Sequence, residues 1–201
     1  ENTMGLNAKV QTFGTDASSS SVAIRRGSND AQAAFLVLSK SRNASVGSRT
    51  ILQNGDEVGN IFFVADDGTD LISNTAAIKS QVNGAPGAND TPGNLSFWTT
   101  ADGANSATQR MSIDSSGRLL IGTTSHTGHA VSSSNNPKMQ LESVSNADYG
   151  RASFIYNGND SVGAGLWFAK SRGTSIGSNT VVANNDQVGG FFFHAADGTD
   201  K

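Results

Sequence analysis

The chain contains no cysteine and little charge, and both shortages exclude classes of protein. None of its 201 residues is cysteine, so disulfides, thiolate metal sites and cysteine catalysis are excluded. Charged residues make up 15% of the chain, against about 25% in an ordinary globular protein. The net charge is −3, and no cluster of Lys or Arg supplies the basic face that nucleic acid requires. We expect neither a nucleic-acid partner nor the large single core of a compact enzyme.

Long hydrophobic runs are also missing. The longest uncharged apolar runs cover 33–38 and 61–65, far fewer than the ~18 residues needed to cross a bilayer, so we expect no membrane insertion. Proline occurs only 3 times, whereas glycine occurs 23 times, and small polar residues supply much of the rest. Such a chain obtains its stability most simply from β-pairing or from partner chains.

An internal repeat is the strongest signal in the sequence. Residues 40–70 and 170–200 carry the same amino acid at 18 of 31 positions, at an offset of 130. This period exceeds the ~20–50 residues of ordinary solenoid units and indicates tandem β-domains that superpose strand for strand. We predict a first repeat with its lead-in over 1–124, a polar linker over 125–137 and a truncated second repeat over 138–201.

Short runs of alternating apolar and polar residues predict strands. They are bounded by Asp-Gly, Asn-Gly and Ser-Ser-Gly turn signals and lie at 56–66, 76–82, 95–100 and 111–121, the last as a hairpin. A helix over 70–82 is the alternative for the second run, because short runs are ambiguous. The predicted fold class is all-β.

Two apolar runs predict contacts between chains. Residues 61–64 and 191–193 are apolar on both faces of a strand, whereas a strand of a one-sided antiparallel sheet alternates. Another copy of the chain would cover the second face, and residues 40–42 would form interchain ion pairs with Asp56 or Asp70. The predicted interchain core comprises Ile61, Phe62, Phe63, Phe191, Phe192 and Phe193.

Glycines that recur in both repeats predict structural turns. Glycine is favoured where φ is positive or where another segment approaches the backbone closely, and an Asp-Gly pair is a hairpin signal. The predicted turn residues are Gly47, Gly59, Asp67, Gly68, Gly177, Gly189, Asp197 and Gly198.

Several motifs occur in the order found in one family. The segment 108–124, TQRMSIDSSGRLLIGTT, resembles the ERMRI-DSSG-VGIGTT signature of tailed-bacteriophage tail fibres. The preceding segments GDEVGNIFFVADDGTD and NLSFWTTADG resemble repeat units of marine and cyanophage fibres. The resemblance covers most of residues 36–124 and 166–200. Similar motifs occur in bacterial surface proteins, which are the alternative origin.

The resemblance implies the repeat region of an elongated homotrimeric β-fibre with interchain β packing, in a virion tail appendage outside the cell. Its partners would be further copies of itself, neighbouring fibre or tail proteins, and a glycan or protein of the host surface. The implied function is a structural segment of a tail fibre involved in host attachment. A receptor-binding adhesin module and a polysaccharide-depolymerising tailspike are the alternatives.

Candidate metal sites have simpler interpretations. The run Asp66–Asp70 has enough carboxylates to suggest calcium, but its spacing differs from an EF-hand and Asp66 is replaced by Ala196 in the other repeat. A hairpin turn is favoured there. His126 and His129 could bind a transition metal, but the favoured interpretation is that both lie in a solvated linker. We predict no metal and no cofactor.

Candidate sugar-binding and catalytic residues fail to recur. Trp98 and Trp167 could stack on sugars, but neither is Trp in the other repeat, and packing is favoured for both. A glycosidase needs two carboxylates that flank one bond. Asp56 recurs in the second repeat whereas its neighbour Glu57 does not. We therefore predict no catalytic residues and expect that the chain is not an enzyme.

Overall fold

A computed structural model of the chain describes residues 8–126, 137–143, 151–159 and 161–193. Across these ranges it contains strands, turns and extended segments but no helix. The predicted all-β fold class is confirmed. Because the described ranges contain no helix, they also contain none that could cross a membrane.

The chain divides into two compact units. One comprises Glu1–His126 and Pro137–Asp148, and the other comprises Thr127–Asn136 and Tyr149–Lys201. The predicted second repeat starts at residue 138, inside the first of these units. The difference arises because the segment after residue 137 adds a strand to the sheet of the first unit.

That sheet has six strands, in the order in which they occur along the chain. The strands are β1 (Glu57–Ala65), β2 (Ser73–Val82), β3 (Gly93–Thr99), β4 (Thr108–Ile113), β5 (Leu119–Ile121) and β6 (Met139–Leu141). Neighbours from β1 to β5 pair antiparallel, whereas β6 pairs parallel to β5. The four predicted strand regions are confirmed. The helix alternative is wrong, because β2 pairs with β1 on one side and β3 on the other.

The β4–β5 hairpin shows how turn residues fix the register. The carboxylate of Asp114 accepts the backbone N–H groups of Ser116 and Arg118 at 2.9 and 3.0 Å, and the Arg118 guanidinium lies 2.6 Å from it. Gly117 has φ +68°, a left-handed conformation that glycine adopts without steric cost. The turn thereby aligns Ile113 with Leu119.

The second unit contains no strand within residues 151–159 and 161–193. The expectation that the repeats superpose strand for strand is wrong for residues 187–193, the counterpart of the start of β1. In the first repeat, β2 supplies the hydrogen bonds that hold β1 in the sheet. Residues 187–193 pair with no strand in the described part of the second unit.

Candidate functional site

One face of the sheet carries an apolar row that crosses all six strands. Paired residues on neighbouring strands point to the same face. From β1 to β6, the register joins Ile61, Ile78, Phe97, Met111, Ile121 and Leu141. A second row on the same face joins Leu95, Ile113, Leu119 and Met139, and Phe63 lies two residues beyond Ile61. We call these eleven side chains the apolar face.

Six of the eleven side chains of the apolar face are exposed in the single chain, and the other five are partly buried. Phe63 is 50% exposed, Ile113 45% and Met139 59%. Soluble monomers rarely expose a contiguous apolar patch larger than a few hundred Å², and six strands about 4.8 Å apart make a sheet more than ~20 Å wide. The face therefore has the chemistry of a protein–protein interface.

The opposite face shows the reverse pattern, with polar groups buried beneath longer side chains. Ser96 and Ser112 are only 3% and 2% exposed. Trp98 Nε1 donates to the Ser96 hydroxyl at 2.8 Å, and Gln109 Nε2 donates to the Ser112 hydroxyl at 3.1 Å. Lys79 Nζ lies 4.4 Å from the centre of the Trp98 ring, a favourable cation–π distance. The chain's own side chains thus cover much of this face.

The predicted interchain-core residues fall in different places. Ile61 and Phe63 lie on the apolar face, whereas Phe62 points to the opposite face, where Lys79 Nζ is 5.6 Å from its ring centre. Lys79 lies near Phe62 on that face, and burial of Phe62 by another chain stays a prediction. Residues Phe191, Phe192 and Phe193 are exposed in the second unit, and their burial by a partner stays a prediction.

The predicted turn glycines occupy two kinds of position. Three have positive φ, namely Gly47 at +86°, Gly68 at +88° and Gly177 at +81°. Gly59 and Gly189 instead lie beneath apolar side chains. A Cβ on Gly59 would be 2.6 Å from the Cβ of Leu38, and one on Gly189 would be 2.5 Å from the Cβ of Phe168, so both positions require glycine for close packing. Asp197 and Gly198 lie outside the described residues.

A loop closed by an ion pair recurs in both repeats. Arg42 donates two hydrogen bonds, of 2.6 and 2.8 Å, to the carboxylate of Asp56, and Lys40 Nζ lies 3.3 Å from the same group. Arg172 makes the equivalent contacts with Asp186 at 2.7 and 2.8 Å. The prediction that Asp56 pairs with another chain is wrong, because the loop brings its own Arg42 back to it.

Backbone hydrogen bonds inside this loop are also the same in both repeats. The N–H of Arg42 donates to the carbonyl of Thr50 at 3.2 Å, and the N–H of Ser48 donates to the carbonyl of Ser45 at 3.1 Å. Both bonds recur at the offset of 130, each at 3.1 Å. We call residues 41–56 and their counterparts the staple loops. Residues 161–193, which contain the second staple loop, include no strand, so the hydrogen bonds of the loop form without a sheet like the one that adjoins the first.

The arginine contacts lower the pKa of both carboxyl groups. For Asp186, the hydrogen bond from Arg172 is the main cause and that from the N–H of Ala183 is the next, and the pKa falls from 3.8 to about 2. The corresponding bonds from Arg42 and Gln53 hold the pKa of Asp56 well below its usual range. Such a carboxylate contributes stability above its unfolded pKa, and this contribution is lost as the pH falls through its folded pKa.

We therefore expect the staple loops to be intact above about pH 4 and to open in acid, the Asp186 loop first. The carboxyl carbon shifts of Asp56 and Asp186, followed by NMR from pH 5 to pH 1.5, check this. Asp186→Asn is the matched control, because it should remove the acid transition of the second loop and leave that of the first. A midpoint near 3.8, the ordinary value, would show that the Asp186 pair does not form.

The carboxylates proposed for calcium are engaged within their own turn. Asp67 accepts the N–H groups of Thr69 and Asp70 at 2.9 and 3.1 Å and the Ser73 hydroxyl at 2.9 Å. Asp66 accepts the N–H of the following turn glycine at 2.8 Å. The bond from Thr69 is the main cause that lowers the pKa of Asp67. In the described part of the chain, no group of three or more His, Cys, Asp or Glu is arranged for a metal.

His126 lines a polar cleft of about 240 Å³ at the end of the sheet. Asn94, Asp114 and Arg118 contribute to the same cleft, and the last two neutralise each other in an ion pair. The second histidine of the predicted metal pair, His129, lies outside the described residues.

The two tryptophans have different surroundings. Trp98 packs on the opposite face of the sheet and donates its N–H to Ser96. The hydrogen-bonding group of its ring is therefore engaged within the sheet. Trp167 was expected to pack but is 92% exposed in the second unit.

Most of the apolar face was missed from the sequence. Leu95, Ile113, Met139 and Leu141 were not assigned to an interface, although the first two lie in predicted strands. The available signal was the two-residue spacing of apolar residues within each strand. Which of those residues share a face across six strands depends on the register, which the spacing does not give.

Comparisons with known proteins give a structural likeness but no sequence match. No protein-family model matches the chain, and no curated protein matches it. Among solved structures, the carboxy-terminal domain of the bacteriophage T5 L-shaped tail fibre is similar at 18% identity with a TM-score of 0.45. The match covers 64% of this chain and spans 47% of that chain, or about half its length.

Proposed function

We propose that the chain is a structural segment of a viral tail fibre, a virion appendage, and that three copies assemble through the apolar face. The observation that carries the proposal is the row of six apolar residues in register across all six strands. The tail-fibre assignment rests on the ordered motifs within residues 55–70 and 108–124. The copy number follows from the resemblance to trimeric fibres.

Burial of the apolar face supplies the driving force for assembly. A fully buried Ile, Leu, Met or Phe side chain contributes about 1.5–3 kcal/mol relative to an exposed one. Each chain presents eleven such residues in the two rows and Phe63, and because they are already partly buried in the single chain, each contributes about half of this amount or less on assembly. Obligate interfaces bury about 2,000 Å² or more. A threefold arrangement places the three apolar faces together around the axis. The opposite faces of the sheets, which the chain's own side chains cover, remain on the outside.

The proposed role is mechanical: the segment holds chains together and spans distance. Repetition of a unit lengthens a shaft, whereas a single receptor tip or active site gains nothing from it. Neighbouring fibre or tail proteins would continue the shaft, and the host glycan or protein would be bound elsewhere along it. We propose no catalytic residue, because the Asp56–Glu57 pair does not recur in the second repeat and Asp67, which does recur, is engaged by hydrogen bonds within its own turn.

Light scattering on the purified chain tests the proposal directly. We expect a stable particle of three times the 20.7 kDa of one chain, with no folded monomer at micromolar concentration. A stable folded monomer would refute the assembly. The same sample is incubated with host polysaccharide and with host cells. New reducing ends would favour a tailspike, and adsorption to cells without cleavage would favour an adhesin.

A further inference from the structure

The tip of each staple loop carries a fully exposed branched aliphatic side chain. The hydrogen bond from Ser48 to Ser45 closes a four-residue turn whose central residues are Val46 and Gly47. Val46 and its counterpart Ile176 are completely exposed. Gly, Pro, Asn, Asp and Ser dominate tight turns, so the turn itself gives no reason for an apolar β-branched residue at this position.

Comparison of the two repeats shows that the turn recurs with an apolar tip, since Ser45, Gly47 and Ser48 are identical in the second repeat, whereas the residues that flank the turn change. Ala44 becomes Thr174, and Arg49 becomes Asn179. The tip residue changes only from valine to isoleucine. The staple loop also holds the tip in one conformation, since the Arg42–Asp56 ion pair and the backbone bonds recur unchanged. An apolar contact at the tip is therefore made without ordering a flexible loop.

A second apolar surface recurs with the same offset. Positions 36–38 are Leu-Val-Leu in the first repeat, and positions 166–168 are Leu-Trp-Phe in the second. Both segments lie outside any strand. Leu36 and Val37 are 70% and 75% exposed, and Trp167 is more exposed still. We call these two segments the apolar strips.

We propose that the tip residue of each staple loop, Val46 or Ile176, packs on an apolar strip of a neighbouring copy of this chain. Tip and strip each occur once per repeat, as expected for a contact that ties every repeat of one chain to the next chain. A host receptor would need its contact at one place only. Within each unit, both the tip and the strip are exposed, so they do not cover each other there. This inference rests on the proposed assembly and adds a contact outside the apolar face.

Photocrosslinking from the tip identifies the surface that it touches. The full chain is made with p-benzoylphenylalanine at position 46, its mass is measured by light scattering, and it is irradiated and digested for mass spectrometry. We expect interchain adducts to residues 35–38 or 165–168. The matched control carries the probe at position 49, on the same loop, and should give few interchain adducts. An assembled particle without adducts from position 46, or with adducts elsewhere, overturns the inference and leaves the assembly standing. A monomeric chain overturns both.

A substitution at the tip gives an independent measurement. The Val46→Asp, Ile176→Asp chain should need at least a tenfold higher concentration for half-assembly than the unaltered chain. Both positions are fully exposed, so each unit should still fold, and an unchanged far-ultraviolet circular dichroism spectrum checks this. The control chain, Arg49→Asp with Asn179→Asp, places acidic residues on the same loops and should assemble normally. Equal assembly of the two variants would overturn the inference, whether both are impaired or both are normal.

Discussion

A chain in which Phe63 and Ile113 are both replaced by lysine is expected to be monomeric where the unaltered chain assembles. Both side chains lie on the apolar face and are about half exposed in the single chain. Because each side chain is already about half buried, each replacement removes only about half of the 1.5–3 kcal/mol of a full burial, or about 1 kcal/mol, from the assembly. Each also places an ammonium group in an apolar interface, which costs several kcal/mol more unless the charge is paired. Because every copy carries both changes, the effect recurs in every subunit.

The control for this variant adds the same charge away from the sheet. Ala88 and Ala104 are exposed residues in the loops after β2 and β3, so Ala88→Lys with Ala104→Lys should assemble normally. Sedimentation velocity measures the mass of both variants, and circular dichroism checks that the strands persist. A lysine pair at 63 and 113 that leaves the assembly intact would exclude the apolar face as the interface. Loss of assembly in both variants would indicate a general charge effect instead.

The strands could be predicted because their signals are local. Alternating apolar residues and Asn-Gly, Asp-Gly and Ser-Ser-Gly turns marked β1 to β5. The last strand, Met139–Leu141, has three residues and pairs in parallel with a strand that ends at Ile121. Neither its length nor its partner is visible in a local pattern. The segment was therefore assigned to the second repeat.

The site was only partly predictable, because it depends on register and on contacts across the chain. The two-faced apolar pattern of β1 pointed to Ile61, Phe62 and Phe63 together. The register places Ile61 and Phe63 on the apolar face, whereas Phe62 lies on the opposite face near Lys79 of the neighbouring strand. Arg42 and Asp56 recur in both repeats at the same spacing, and the sequence indicated an ion pair of residues 40–42 with Asp56 or Asp70. Their separation in sequence did not reveal that the partners belong to one chain.

Replacing Gly122 by alanine is expected to detach β6 from the sheet. Gly122 has φ +76°, and a Cβ there would overlap the backbone carbonyl oxygen of Glu142. The N–H of Glu142 donates to the carbonyl of Ile121 at 3.0 Å, and the N–H of Leu119 donates to the carbonyl of Lys138 at 2.9 Å. These bonds hold β6 against β5, so the added methyl group separates the two strands where they pair.

Gly103→Ala separates this steric effect from backbone strain. Gly103 has almost the same φ, +75°, but a Cβ there meets nothing within 4 Å. Left-handed backbone costs an alanine about 1–2 kcal/mol at either site, so any larger loss at Gly122 measures the conflict with Glu142. Urea unfolding gives the two free energies, and amide exchange at Leu119 and Glu142 shows whether β6 remains paired. Equal losses with both amides still protected would contradict the expected detachment.

Detachment of β6 should also weaken assembly, which links this local change to the proposed function. Met139 and Leu141 complete the two apolar rows on β6, so a chain without this pairing presents a face of five strands instead of six. The Gly103→Ala chain loses a similar amount of backbone stability but keeps all eleven side chains of the apolar face in place. We therefore expect Gly122→Ala to raise the concentration needed for half-assembly and Gly103→Ala to leave it unchanged. Impaired assembly in both chains would mean that assembly follows overall stability, not the completeness of the apolar face.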